Sequence, residues 1–91
     1  MRRKGYALTV TGVAHPTPSE ILARRGAAVR ARRIELGLTQ SDLSELIGAH
    51  QTTVSQIELG QCETSLRLSL AIASALKTTH DALFGVDAEV A

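Results

Sequence analysis

The sequence predicts a small all-α fold, five short helices in one compact domain behind an N-terminal arm. Three observations carry this. Only Tyr6 and Phe84 are aromatic among 91 residues, so the core must be aliphatic, whereas a β sandwich or barrel draws on aromatic and β-branched side chains. Hydrophobic residues make up 44% of the chain, an ordinary share for a folded protein. The length suits one domain and leaves little room for a catalytic one with its own cofactor pocket. Helix-starting and helix-stopping residues also follow one another from Thr17 to Gly85.

Residues 1–17 read as the arm. Tyr6, Leu8 and Val10 alternate with Ala7, Thr9 and Thr11, the period of a strand. A lone strand in a helical chain finds a partner only in a second copy. His15-Pro16-Thr17-Pro18 breaks regular structure. Thr17-Pro18-Ser19-Glu20 is a capping box with proline at the first helical position, and the helix it opens should run to about Leu36 and stop at Gly37. Gly26, inside that helix, implies either a second helix packed closely there or less secure first turns. Thr39 and Asp42 open a second helix that ends at Gly48, and a third runs from His50 or Gln51 to Gly60. Thr64 or Ser65 caps a fourth that extends to about Lys77, with Leu66, Leu70, Ala73 and Leu76 as its buried stripe. Thr79 caps a last short helix, with Leu83 and Phe84 facing inward and Gly85 ending it. The domain so delimited is 18–85, and 86–91 form a tail.

A formal net charge of +1 conceals a strong asymmetry. Residues 1–34 hold eight basic side chains against one acid, a net +7, while residues 35–91 hold two against eight, a net −6. Such a chain either presents a basic surface to a polyanion or pairs its solvated helix faces internally. The single Cys62 excludes an internal disulfide and a multi-cysteine zinc site, and it suits a reducing compartment. No stretch approaches the roughly 20 apolar residues of a membrane span. Thr9, Thr11 and Gly12 interrupt the apolar run after Arg2-Arg3-Lys4, which speaks against an export signal, so a cytoplasmic protein without membrane contact is expected. His15, His50 and His80 are too far apart for a local metal site. Neither a phosphate-binding glycine loop nor a nucleophile elbow occurs, so no metal, no cofactor and no enzymatic activity are expected.

Residues 40–59 hold the constellation that carries function. Two helices of about eight residues flank Gly48-Ala49-His50, and Gly48 supplies the positive φ that the turn requires. Ser44 is small enough to lie where the helix axes approach, and Leu43, Ile47, Val54 and Ile57 occupy the positions that must be buried behind the turn. The chain here resembles the lambda-repressor-like helix-turn-helix family, also called the xenobiotic-response-element type, which includes phage repressors and Cro proteins. The resemblance is carried by Arg33-Ile34-Glu35-Leu36-Gly37-Leu38-Thr39-Gln40, Leu43 and Gly48. It continues through Thr53-Val54-Ser55-Gln56-Ile57-Glu58-Leu59-Gly60, Ser65-Leu66, Ala73-Ser74-Ala75-Leu76 and Asp81-Ala82-Leu83-Phe84.

The resemblance implies a third helix lying in the major groove of double-stranded DNA. Its base readers would be Gln51, Thr52, Thr53, Ser55 and Gln56, and their chemistry suits the task. Glutamine presents a donor and an acceptor together to adenine, and threonine offers a methyl to thymine. The resemblance assigns Gln40 a phosphate contact, and His50, at the equivalent end of the third helix, is either a second such contact or a plain cap neighbour. Arg33 and Glu58 match a pair that fixes the first helix against the third, from which Arg33 would also touch the backbone. Arg30 and Arg32 are further phosphate candidates or solvated decoration. Three positions depart from the family pattern. Gln61-Cys62-Glu63 replaces a loop that often carries basic residues, Leu46 occupies a usually polar place, and Ser44 stands for the more usual alanine.

A transcriptional regulator, most simply a repressor, is the expected function. The alternative is the antitoxin of a toxin–antitoxin pair, with the arm and Leu46 as toxin contacts. A single helix-turn-helix reads few base pairs, so a homodimer on half-sites about ~34 Å apart is expected. Its contact would come from the arm or else from the fourth and fifth helices.

Overall fold

Helix starts and stops in this chain are set by short-range hydrogen bonds that can be followed residue by residue. The computed structural model describes residues 16–85. The alternating stretch 6–11 and the tail 86–91 lie outside the described residues. Five helices follow in order: α1 (Pro18–Glu35), α2 (Gln40–Ile47), α3 (Gln51–Glu58), α4 (Leu66–Ala75) and α5 (His80–Phe84), with no strand among the described residues.

At the head of α1 the Thr17 hydroxyl accepts from the Glu20 N–H at 3.2 Å, and the Glu20 carboxylate accepts from the Thr17 N–H at 2.8 Å. Thr39 and Asp42 close the same reciprocal box on α2, at 2.9 Å each way. Those bonds from Thr39 hold the Asp42 carboxyl below its ordinary pKa. A depressed carboxylate supports the cap fully above its unfolded value of ~3.9 and loses that support as pH falls through the lowered folded value. Ser65 and Thr79 cap α4 and α5 by accepting from Leu68 N–H and Ala82 N–H, both at 3.1 Å.

The stops are as local as the starts. Gly37 and Gly60 sit at φ +73° just past α1 and α3, and Gly48 at +69° closes α2. Lys77 does the same for α4 at φ +56°, with Lys77 N–H bonded to Ser74 O and Thr78 N–H to Ala73 O. This is a Schellman stop made without glycine. It ends α4 at Ala75, two residues before the expected Lys77.

Helices of eight to ten residues are too short to hold themselves, so packing must do it. α1 lies against α3 and α5, α2 against α3 and α4, and α4 against α5. Val29, Leu43, Val54, Ile57, Ile72, Ala73, Leu76, Leu83 and Phe84 are buried together. Each fully buried aliphatic side chain contributes about 1.5–3 kcal/mol. Ile47 and Cys62 are half-buried against this cluster.

The α4 stripe is rotated from expectation. Leu66 is 68% and Leu70 50% exposed, and the buried face is Ser69, Ile72, Ala73 and Leu76. Ser69 is tolerated inside because its hydroxyl donates to Leu66 O at 2.8 Å and lies 3.0 Å from His80 Nε2. With the serine proton so used, the histidine N–H is the donor to Ser69. His80 in turn stacks on Phe84 within α5, with ring centroids 5.1 Å apart, and its bond to Ser69 joins α5 to α4.

At Gly26 the alternative left open by the sequence resolves to close packing. A Cβ there would meet the backbone carbonyl oxygens of Ile57 and Glu58, the latter at 2.5 Å. Backbone cannot swing aside as a side-chain tip does. Gly26→Ala is therefore expected to destabilise the domain by about 1–3 kcal/mol in urea unfolding, despite the helix propensity gained. A variant as stable as wild type would mean that α1 and α3 do not approach this closely.

Candidate nucleic-acid interface

α3 buries Val54, Ile57 and Glu58 and turns Thr52 and Gln56 outward, with Leu59 at its C-cap, at the three- and four-residue spacing of one helix face. Gln51, Thr52 and Gln56 are exposed, while Thr53 and Ser55 are half-buried. The five nominated readers thus divide into three open side chains and two at the margin. Leu59, 64% exposed, shares the outward face seven residues beyond Thr52, and its spacing alone placed it there. It adds an apolar surface of the kind that meets a thymine methyl.

The start of α3 differs from every other helix start described. His50 stands at its N-cap with extended dihedrals and is exposed, yet its side chain makes no capping bond. α1, α2, α4 and α5 are all capped by Thr or Ser hydroxyls. Leaving a cap out costs about 1 kcal/mol, and it leaves the first amides of α3 facing solvent as hydrogen-bond donors with the positive end of the helix dipole behind them.

What holds α3 in place is a buried charged network. Arg33 on α1 grips Glu58 on α3 with two bonds, Nε to Oε2 at 2.7 Å and Nη2 to Oε1 at 3.1 Å. Its remaining Nη1 donates to Leu38 O at 2.7 Å, and Gln40 Nε2 donates to Glu58 Oε1 at 3.0 Å. The Glu58 side chain is 1% exposed. Its hydrogen bonds and its charge push the Arg33 pKa still higher, against the opposing effect of burial. One carboxylate therefore ties together α1, the α1–α2 turn, the head of α2 and the end of α3.

This network changes the roles of three nominated residues. Arg33 is buried and spends three of its five N–H groups on Glu58 and Leu38 O, so a phosphate contact is left only to the remaining two. Arg32 is withdrawn from the phosphate contacts. Its Nε donates to Leu76 O at 2.9 Å and Nη2 to Lys77 O at 3.2 Å, where it caps the carbonyl end of α4, and Nη1 pairs with Glu35 at 2.9 Å. Gln40 spends one N–H of its amide on Glu58, which leaves the second N–H and the helix-start N–H groups beside it for a phosphate. Arg30 stays exposed, one turn from both Gly26 and Arg33, the residues by which α1 touches α3.

The turn itself has the anticipated build. Leu43 and Val54 are fully buried, and Ser44 is buried with its hydroxyl donating to Ser41 O at 2.7 Å. Leu46 is 60% exposed and borders a shallow groove with Leu36, Leu38 and Ala75. Gln61 and Glu63 are exposed on the loop after α3. Among the described residues no group of three or more potential metal ligands occurs, and no helix is long and apolar enough to cross a membrane.

Comparison with known proteins agrees with this geometry. Residues 29–83 match the helix-turn-helix family HTH_3. A curated relative is an uncharacterized HTH-type transcriptional regulator of Methanothermobacter thermautotrophicus. It is 42% identical over 52 residues, a match that spans 57% of this chain and 75% of the relative. Among solved structures, the restriction-modification controller protein C.AhdI of Aeromonas hydrophila superposes with a TM-score of 0.67 at 35% identity, over 69% of this chain and 96% of that one. The clp gene regulator ClgR of Corynebacterium glutamicum does so at 0.69 and 28%, over 84% and 78%.

The ion pair makes a sharp energetic claim. Arg33→Ala leaves a buried carboxylate with only Gln40 beside it, and is expected to cost about 3–5 kcal/mol in urea unfolding. Glu58→Gln, which keeps acceptor and shape, is expected to cost less. A loss below about 1 kcal/mol for Arg33→Ala, the range of exposed pairs, would show that solvent reaches the site.

Proposed function

The chain belongs to the HTH_3 helix-turn-helix family and is a DNA-binding transcriptional regulator, and we propose that it is a cytoplasmic repressor that reads operator DNA as a homodimer. The observation that carries this is α3: an outward polar face at an uncapped helix start, held rigidly from behind by Arg33 and Glu58. Gln51 and Gln56 read adenine edges, Thr52, Thr53 and Ser55 support them, and Arg30, His50 and the amides near Gln40 meet phosphates. Repression follows from occupancy, since a bound domain excludes other proteins from the same groove without any further contact.

The exposed Leu66 and Leu70, one turn apart on α4, support dimerisation. Two large apolar side chains facing water have no local rationale, and a second copy across a two-fold axis covers both by presenting the same patch. Leu70→Glu is expected to yield a monomer in sedimentation while the fold is retained by circular dichroism. A dimer of wild-type strength would send the contact to the arm at residues 1–17, where deletion of residues 1–14 would then abolish it.

Selection of bound duplexes from a random pool tests the reading itself. On the selected site, Gln51→Ala or Gln56→Ala should lose about 1–3 kcal/mol of binding while affinity for scrambled duplex barely changes. If both variants discriminate as wild type does, α3 is not the reading element.

A further inference from the structure

The acidic part of the chain, from Glu35 onward, contains only two basic residues, and one of them is oddly placed. Arg67 stands in the first turn of α4, where a cation works against the helix dipole. It is exposed and forms no ion pair among the described residues, although Glu63 lies four residues before it. A local rule broken without local compensation marks a residue kept for something outside the fold. Its direction shows what that is. Arg67 borders a groove of about 220 Å³ with Ile47, Gly48 and Ser65, so it lies against the turn that leads through His50 into the uncapped start of α3. Leu66, its neighbour in sequence, instead borders the groove on the α5 side, with His80 and Phe84. The two neighbours on α4 therefore diverge, Leu66 toward α5 and Arg67 toward the helix-turn-helix.

We infer that Arg67 is a phosphate contact of the DNA interface, gripping the backbone beside the groove into which α3 inserts. This rests on the DNA-binding reading above and adds to it a cation from outside the basic N-terminal part. In that position it takes over the charge that the loop Gln61-Cys62-Glu63 does not provide. It contacts the backbone alone, so it strengthens binding to every sequence and selects none.

The test uses the full chain with its selected duplex and a scrambled duplex, each titrated at several salt concentrations. Arg67→Ala should weaken both complexes by a similar several-fold factor at low salt. The slope of log affinity against log salt should fall by about one per subunit, the loss of one phosphate contact. Arg67→Lys should keep most of the slope. Arg24→Ala, which removes an exposed arginine with no assigned contact, is the control for net charge and should leave the slope unchanged. An Arg67→Ala slope equal to wild type, or a fall matched by Arg24→Ala, overturns the inference. So does an unchanged slope accompanied by loss of the dimer in sedimentation, which would give Arg67 to the second copy. If the wild-type chain itself showed no preference for its selected duplex, the DNA-binding reading would fail and this inference with it.

Discussion

The two-pronged contact between Arg33 and Glu58 decides where α3 points, and nearly everything about the interface depends on that. An apolar pair of similar volume would pack as well or better in energetic terms, since desolvating two charges offsets much of their attraction. What an apolar pair lacks is direction. A guanidinium that donates twice to one carboxylate, and a third time to Leu38 O, permits one orientation of Glu58, and Glu58 is the last residue of α3. The roll of a two-turn helix is thereby set from its far end. Gly26 sets its distance, because the carbonyls of Ile57 and Glu58 rest where a side chain would otherwise stand. With roll and distance both fixed, Thr52 and Gln56 have one direction left, which is outward.

A core of nine buried aliphatic and aromatic side chains leaves little margin for a five-helix domain, so the chain spends local devices freely. Four of the five helices carry a hydroxyl cap, two of them full capping boxes, and α1, α2, α3 and α4 end on a left-handed residue. Against that background the bare start of α3 stands out. The domain gives up a cap at the one helix whose first amides face outward beside its polar side chains. It makes up the loss through the packing of Leu43 and Val54 behind the turn.

The devices that could be read directly from the sequence are the ones whose partners lie within four residues. Thr17 with Glu20, Thr39 with Asp42, and Gly37, Gly48 and Gly60 behave as their types and spacings imply. Where the partner lies far along the chain, residue type was a poor guide. Ser69 carries no apolar signal, and its hydroxyl is satisfied by Leu66 O nearby and by His80, eleven residues away. With Ser69 on the buried face of α4, Leu66 and Leu70 lie at the surface. Arg32 looked like a phosphate ligand, and its carbonyl partners are more than forty residues distant. Lys77 carried no glycine signal, yet it adopts the left-handed stop. Arg32 binds the carbonyls of Leu76 and of Lys77 itself, which supplies from α1 part of the support that a glycine stop would not need. Of the five readers named, Gln51, Thr52 and Gln56 are exposed, and the Arg33–Glu58 pair implied by the resemblance is present, but the bonds from Arg33 to Leu38 O and from Gln40 to Glu58 required the network to be seen whole.

That network also revises what the charge asymmetry means. Of the five arginines on α1, Arg33 is buried in its ion pair, Arg32 is committed to the end of α4, and Arg25 is half-buried, which leaves Arg24 and Arg30 fully at the surface. Much of the positive charge of the described N-terminal region therefore holds the fold together and contributes little to a field felt by a polyanion. An interface with few exposed cations draws a small electrostatic share of its affinity, and that share is the one that is blind to sequence. On the reading proposed above, the remainder comes from base edges met by α3 and from the doubling of half-sites in a dimer. On that same reading, the described domain gains discrimination by keeping its non-specific binding weak. The glutamate at position 63, beside a helix whose leading cation is Arg67 alone, serves the same end.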